Sequence, residues 1–81
     1  MRTREEIESR ISLVRDSSDV SLTMAFDEAI RATKNMSPSA SYNLALEIAR
    51  RREDEGLAIA VAKAVRWQRV LERDFPASKQ E

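Results

Sequence analysis

The sequence predicts an all-α fold, a small bundle of four helices, and three observations carry that reading. Apolar residues recur three and four positions apart along most of the chain. The only glycine and both prolines fall between or beyond these periodic stretches. The one stretch that alternates like a strand, GLAIAVAKAV, is rich in alanine, which is the best helix former and is depleted in strands. The spacing places helices at about 3–15, 19–35, 38–53 and 57–74, the last two forming an antiparallel helical hairpin that the first two cover.

The first helix opens on Thr3 and Glu6, which fit a capping box: the hydroxyl takes a first-turn amide and the carboxylate reaches back. Ile7, Ile11 and Val14 then form a narrow apolar stripe, and Arg4–Glu8 and Glu6–Arg10 are spaced to pair on the outer surface. Arg15 to Asp19 is a short polar connection without an apolar anchor.

Ser18 or Asp19 can cap the second helix. Its inner face is Leu22, Phe26, Ala29, Thr33 and Met36, with Ile30 beside it and Asp27–Arg31 paired opposite. Val20 and Met24 fall off this stripe, so the start of the helix is expected to face something other than the core. The third helix begins with Ser37 as cap and Pro38 as first helical residue. Its apolar positions, Tyr42, Leu44, Ala45, Leu46, Ile48 and Ala49, cover more than half its circumference, so it should lie between neighbours.

Arg50 to Gly56 separates the third helix from the fourth, with Gly56 able to take a left-handed conformation and Asp54 able to cap the fourth. The alternative is one helix running through Gly56. A heptad seam extended from Tyr42 through Leu46 and Ala49 meets Glu53, Gly56 and Lys63 at core positions, which favours a break. In the fourth helix Leu57, Ala60, Val61, Ala64, Trp67, Leu71 and Phe75 form a broad stripe, widened by Ile59 and Val70 on one flank and Val65 on the other. Pro76 ends it. Residues 1–75 read as a single helical domain and 76–81 as a polar tail.

Composition narrows the possible chemistry. With 81 residues and no cysteine, the chain has no disulfide or thiolate metal site to staple a small core, so helix packing or self-association must serve. Fourteen basic and fourteen acidic residues cancel, which leaves no overall field to draw in nucleic acid or an anionic membrane. The charged N-terminus has no signal-peptide core, and no apolar run reaches the roughly 18 residues of a membrane span. The default location is therefore the cytoplasm, or the host cytoplasm for a phage-derived protein.

The absence of histidine removes the usual proton shuttle and the commonest metal ligand, and a single glycine leaves no phosphate cradle. Glu53, Asp54 and Glu55 are consecutive at a helix end, point to different sides, and cannot converge on one ion. The expectation is a non-enzymatic protein with no cofactor, no metal and no small-molecule substrate.

Two surfaces remain. Arg66, Arg69 and Arg73 are spaced along one ridge of the fourth helix, and Arg50, Arg51 and Arg52 end the third. They suit a solvated face, a phosphate-contacting ridge or a site for an acidic protein surface, with Glu72 near Arg69 and Glu47 near Arg51 to neutralise them in part. The other surface is Ile59, Lys63, Arg66, Trp67 and Val70, whose apolar, aromatic and arginine side chains are the types that carry energy at protein interfaces. Trp67 fits a core anchor or an interface anchor, and Tyr42 shares the ambiguity. The expected function is a protein-interaction module (adaptor, inhibitor or regulator), self-associating as a homodimer, with an exposed apolar strip along Ile59, Trp67 and Val70 as its signature. The alternative is a nucleic-acid-associated regulator that uses the arginine ridges.

Overall fold

The computed structural model describes residues 2–76; the rest of the expected polar tail, 77–81, lies outside the described residues. Four helices run in order: α1 (Arg4–Arg15), α2 (Val20–Ala32), α3 (Pro38–Arg50) and α4 (Glu55–Asp74), with no strand among the described residues. Each starts on a side-chain cap. Thr3 and Glu6 complete the capping box of α1, the Thr3 hydroxyl accepting from the Glu6 amide at 3.2 Å and the Glu6 carboxylate from the Thr3 amide at 3.0 Å. Asp19, Ser37 and Asp54 accept from the amides of Leu22, Ala40 and Leu57. Such caps contribute about 1 kcal/mol each.

Two helices end earlier than periodicity suggests. The second stops at Ala32, and the chain turns through Asn35 at φ 69° before Ser37 caps α3. The third stops at Arg50, so α3 and α4 are separate helices. The left-handed residue at this break is Glu53, at φ 58°, and not Gly56. Asp54 must be extended to cap α4, so the reversal falls on the residue before it, and Gly56 lies inside the first turn.

Packing depends on side-chain size. The two helices of the hairpin, α3 and α4, pack antiparallel and more closely than any other pair. Small residues four apart permit this: Ser41, Ala45 and Ala49 on α3, and Ala58 and Ala62 on α4, are all fully buried. Ile7, Ile11 and Val14 of α1 and Ala25, Phe26 and Ala29 of α2 complete the core. Each buried Ile or Val contributes roughly 1.5–3 kcal/mol.

On α4 the buried face is rotated from the expected one. Ala58, Ala62 and Val65 are fully buried together with Val61, whereas Leu57, Ala60, Trp67 and Leu71 are half-buried at its margin. The alanine seam draws the α3-facing side inward, which size-weighted periodicity does not reveal. Both α2 and α4 touch all three other helices, while α1 and α3 do not meet.

Candidate interaction surface

Because α1 and α3 flank α4 without meeting, α4 keeps one outward strip between them. Ile59, Lys63, Arg66, Trp67 and Val70 lie on it at spacings of four, three, one and three, which places all five on one helix face. Lys63 is exposed and the other four are half-buried. The strip is therefore not the exposed apolar band expected from sequence: Trp67 and Val70 also pack against the core. Among the described residues the large apolar side chains most open to solvent are Leu13, Val20 and Met24.

Trp67 leans toward α1. The guanidinium groups of Arg2 and Arg10 stand 5.2 and 5.7 Å from its ring centroid, and such cation–π contacts contribute about 0.5–1 kcal/mol at partly exposed sites. Arg10 is thus held by the indole and not by the expected pairing with Glu6, whose carboxylate is taken by the capping box. Arg66 leans the other way, 5.0 Å over the half-buried ring of Tyr42 on α3. The strip is aromatic along both edges with a cation on each.

Beside Trp67 runs an open groove of about 330 Å³, walled by Arg10 and Leu13 of α1, Leu22 of α2, and Ala60, Lys63 and Trp67 of α4. Its floor is apolar and its rim cationic. Leu13 stands at the lip, 76% exposed, out of phase with the inward stripe of Ile7, Ile11 and Val14. Leu13 has one signal in the sequence, a lone leucine off the stripe of α1, and spacing alone assigns Arg10 to Glu6 and not to the groove. On the far side of Arg10 and Leu13 lies a shallow shelf that carries Glu5, Glu6 and Glu8.

The arginines expected on phosphates are placed differently. Arg69 is buried, 5% exposed, and does not stand on an open ridge with Arg66 and Arg73. Its Nη2 donates to the Ile30 carbonyl at 2.6 Å and to the Thr33 hydroxyl at 3.0 Å, and its Nη1 donates to both carboxylate oxygens of Glu72 at 2.9 Å. The reason is electrostatic: the last carbonyls of α2 lack helical partners and carry the negative end of its dipole, and Arg69 supplies both the donors and the charge. Its Nε has no partner.

Arg50, Arg51 and Arg52 are exposed but paired. Arg50 grips Glu55 across the turn at 2.8 and 3.1 Å, and these hydrogen bonds hold the Glu55 carboxyl below the usual glutamate value and raise Arg50. Arg51 and Arg52 reach Glu28 on α2 at 3.8 and 3.4 Å, in place of the expected Glu47. Arg73 bonds Asp74, whose carboxyl it lowers. The carboxylates of Glu53, Asp54 and Glu55 are likewise dispersed, Asp54 to its cap and Glu55 to Arg50.

No helix among the described residues is long and apolar enough to cross a membrane. No protein-family model matches the chain, and no curated protein or solved structure is significantly similar to it.

Proposed function

We propose that this protein is a small non-enzymatic interaction module, an adaptor, inhibitor or regulator, that acts by covering a partner protein's surface. The contact is made by the outward strip of α4 and the groove beside it. One observation carries this reading: Trp67 stands where strip and groove meet, half-buried, with Arg10 and Lys63 beside it, and neither cation has a carboxylate partner among the described residues. An indole with its apolar body partly covered and unpaired cations at hand is the composition of an interface anchor.

The second reading, phosphate contact through Arg50, Arg51, Arg52, Arg66, Arg69 and Arg73, has less behind it. Of these only Arg66 lacks a carboxylate partner among the described residues, and it is half-buried against Tyr42.

The two separate in one experiment. Tagged wild-type protein, a Lys63→Glu variant and an Arg51→Ala/Arg52→Ala variant are used to capture partners from the source lysate, with identification by mass spectrometry and binding remeasured with purified partner. A partner that survives the Arg51/Arg52 change and is lost with Lys63→Glu supports the interaction module. Retention on DNA or heparin that falls with salt, at a log–log slope near −0.9 per contacted phosphate, together with no Lys63-dependent protein partner, overturns it.

A further inference from the structure

The groove and its surroundings carry opposite shapes and opposite charges side by side. Leu13 and Arg10 line both the groove and the acidic shelf, so three zones lie side by side: the shelf with Glu5 and Glu6, the Leu13 lip, and the groove leading to Lys63 and Arg66 on α4. A surface with a knob, a hole and both signs of charge can complement itself about a twofold axis, because an isologous contact uses the same patch twice. With the axis lying in the contact plane, between lip and groove and along α1, the lip of one copy falls in the groove of the other. The shelf then falls one zone further, over the partner's α4 strip.

We infer that the groove is occupied by a second copy of this chain. Each copy seats Leu13 against Leu22, Ala60 and Trp67 of the other, and sets Glu5 opposite the other's Lys63 and Arg66. This rests on the interaction reading above and names its partner. The side chains involved are open to it: Leu13 is 76% exposed, Glu5 and Lys63 are exposed, and neither Lys63 nor Arg66 has an internal carboxylate partner among the described residues. The contact excludes growth beyond two copies, since both knobs and both grooves are used. It is also salt-sensitive, because its rim pairs are at the surface.

Sedimentation equilibrium tests this with wild type, Leu13→Glu, Lys63→Glu and Lys63→Glu/Glu5→Lys, each checked for helicity by circular dichroism. Wild type is expected to dimerise by about 1 mM, the range in which small interfaces associate. Leu13→Glu is expected to weaken the dimer at least about tenfold, as loss of a central anchor does. Lys63→Glu weakens it too, and the added Glu5→Lys change restores much of the loss by exchanging the two signs. Glu5 is the position chosen because Glu6 is needed for the capping box. A wild type that stays monomeric at that concentration overturns the inference, as does a dimer indifferent to Leu13→Glu and Lys63→Glu. A monomer that still loses a captured heterologous partner on Lys63→Glu removes the self-pairing alone and leaves the broader reading standing.

Discussion

The Nη2 of Arg69 lies 3.0 Å from the hydroxyl of Thr33, 36 positions earlier in the chain, and both side chains are buried. Thr33 donates its own proton to the Ala29 carbonyl at 2.7 Å, so the hydroxyl is free to accept from the guanidinium. The C-terminal end of α2 and the C-terminal half of α4 are joined by this one network.

Removing the guanidinium leaves the Ile30 carbonyl without that donor and opens a void. Arg69→Ala is expected to lower unfolding stability by about 2–4 kcal/mol and Thr33→Val by about 1–2 kcal/mol. The double variant should lose less than the sum by about 1 kcal/mol, because the two share a hydrogen bond. Urea denaturation followed by circular dichroism checks all three. Strict additivity would mean that the bond contributes nothing.

The break between α3 and α4 invites two stabilising changes. Glu53 occupies a left-handed conformation that glycine adopts without steric cost, and Glu53→Gly is expected to raise stability by about 0.5–1 kcal/mol. Gly56 sits in the first turn of α4, where an added Cβ meets only the Asp54 carboxylate at 3.6 Å, an ordinary contact. Gly56→Ala should stabilise by a similar amount, about 0.5–1 kcal/mol. Thermal melts would show midpoints moving up for both.

The alanine seam leaves no room for growth. Ala45 and Ala62 are fully buried between α3 and α4, and leucine at either forces the helices apart. A loss of about 1–3 kcal/mol is expected for Ala45→Leu or Ala62→Leu. Denaturant midpoints measure it, and an unchanged midpoint would contradict the close approach of these helices.

Acid should act on the hairpin turn. Glu55 has its folded pKa depressed by hydrogen bonds from Arg50, so its contribution is present above the unfolded glutamate value and is lost as pH falls through the folded one. Without histidine no side chain has its ordinary pKa near neutrality, and stability should be flat there. Carboxyl titration by NMR is expected to place Glu55 below the usual glutamate value, and Arg50→Ala should return it to that value. The pair is at the surface, so the effect belongs to the turn and not to the global fold.

Periodicity and caps are the features of this fold that sequence reading recovers. Thr3, Asp19, Ser37, Pro38 and Asp54 are each legible as helix starts, since a cap needs one short acceptor at one offset. Helix ends are less legible: α2 and α3 close on Asn35 and Glu53 in left-handed conformations, and glutamate is no signal for that. The buried face of α4 differs from the expected one because small residues draw helices together, while a stripe of large apolar residues marks only where they are wide. Arg69 escapes sequence reading for a related reason. An arginine three residues from Glu72 looks solvated until the end of α2 arrives beside it, and only tertiary placement does that.

The central placement of α4 bears on how freely this chain can drift. Within little more than one turn, Val65 faces the core, Arg66 lies on Tyr42, Trp67 on Arg2 and Arg10, and Arg69 on the end of α2. Adjacent positions thus answer to different neighbours, and few substitutions suit all of them together. The outer side of α1, where Leu13 is 76% exposed, has fewer such neighbours, so substitutions there are expected to cost the fold less than substitutions along α4.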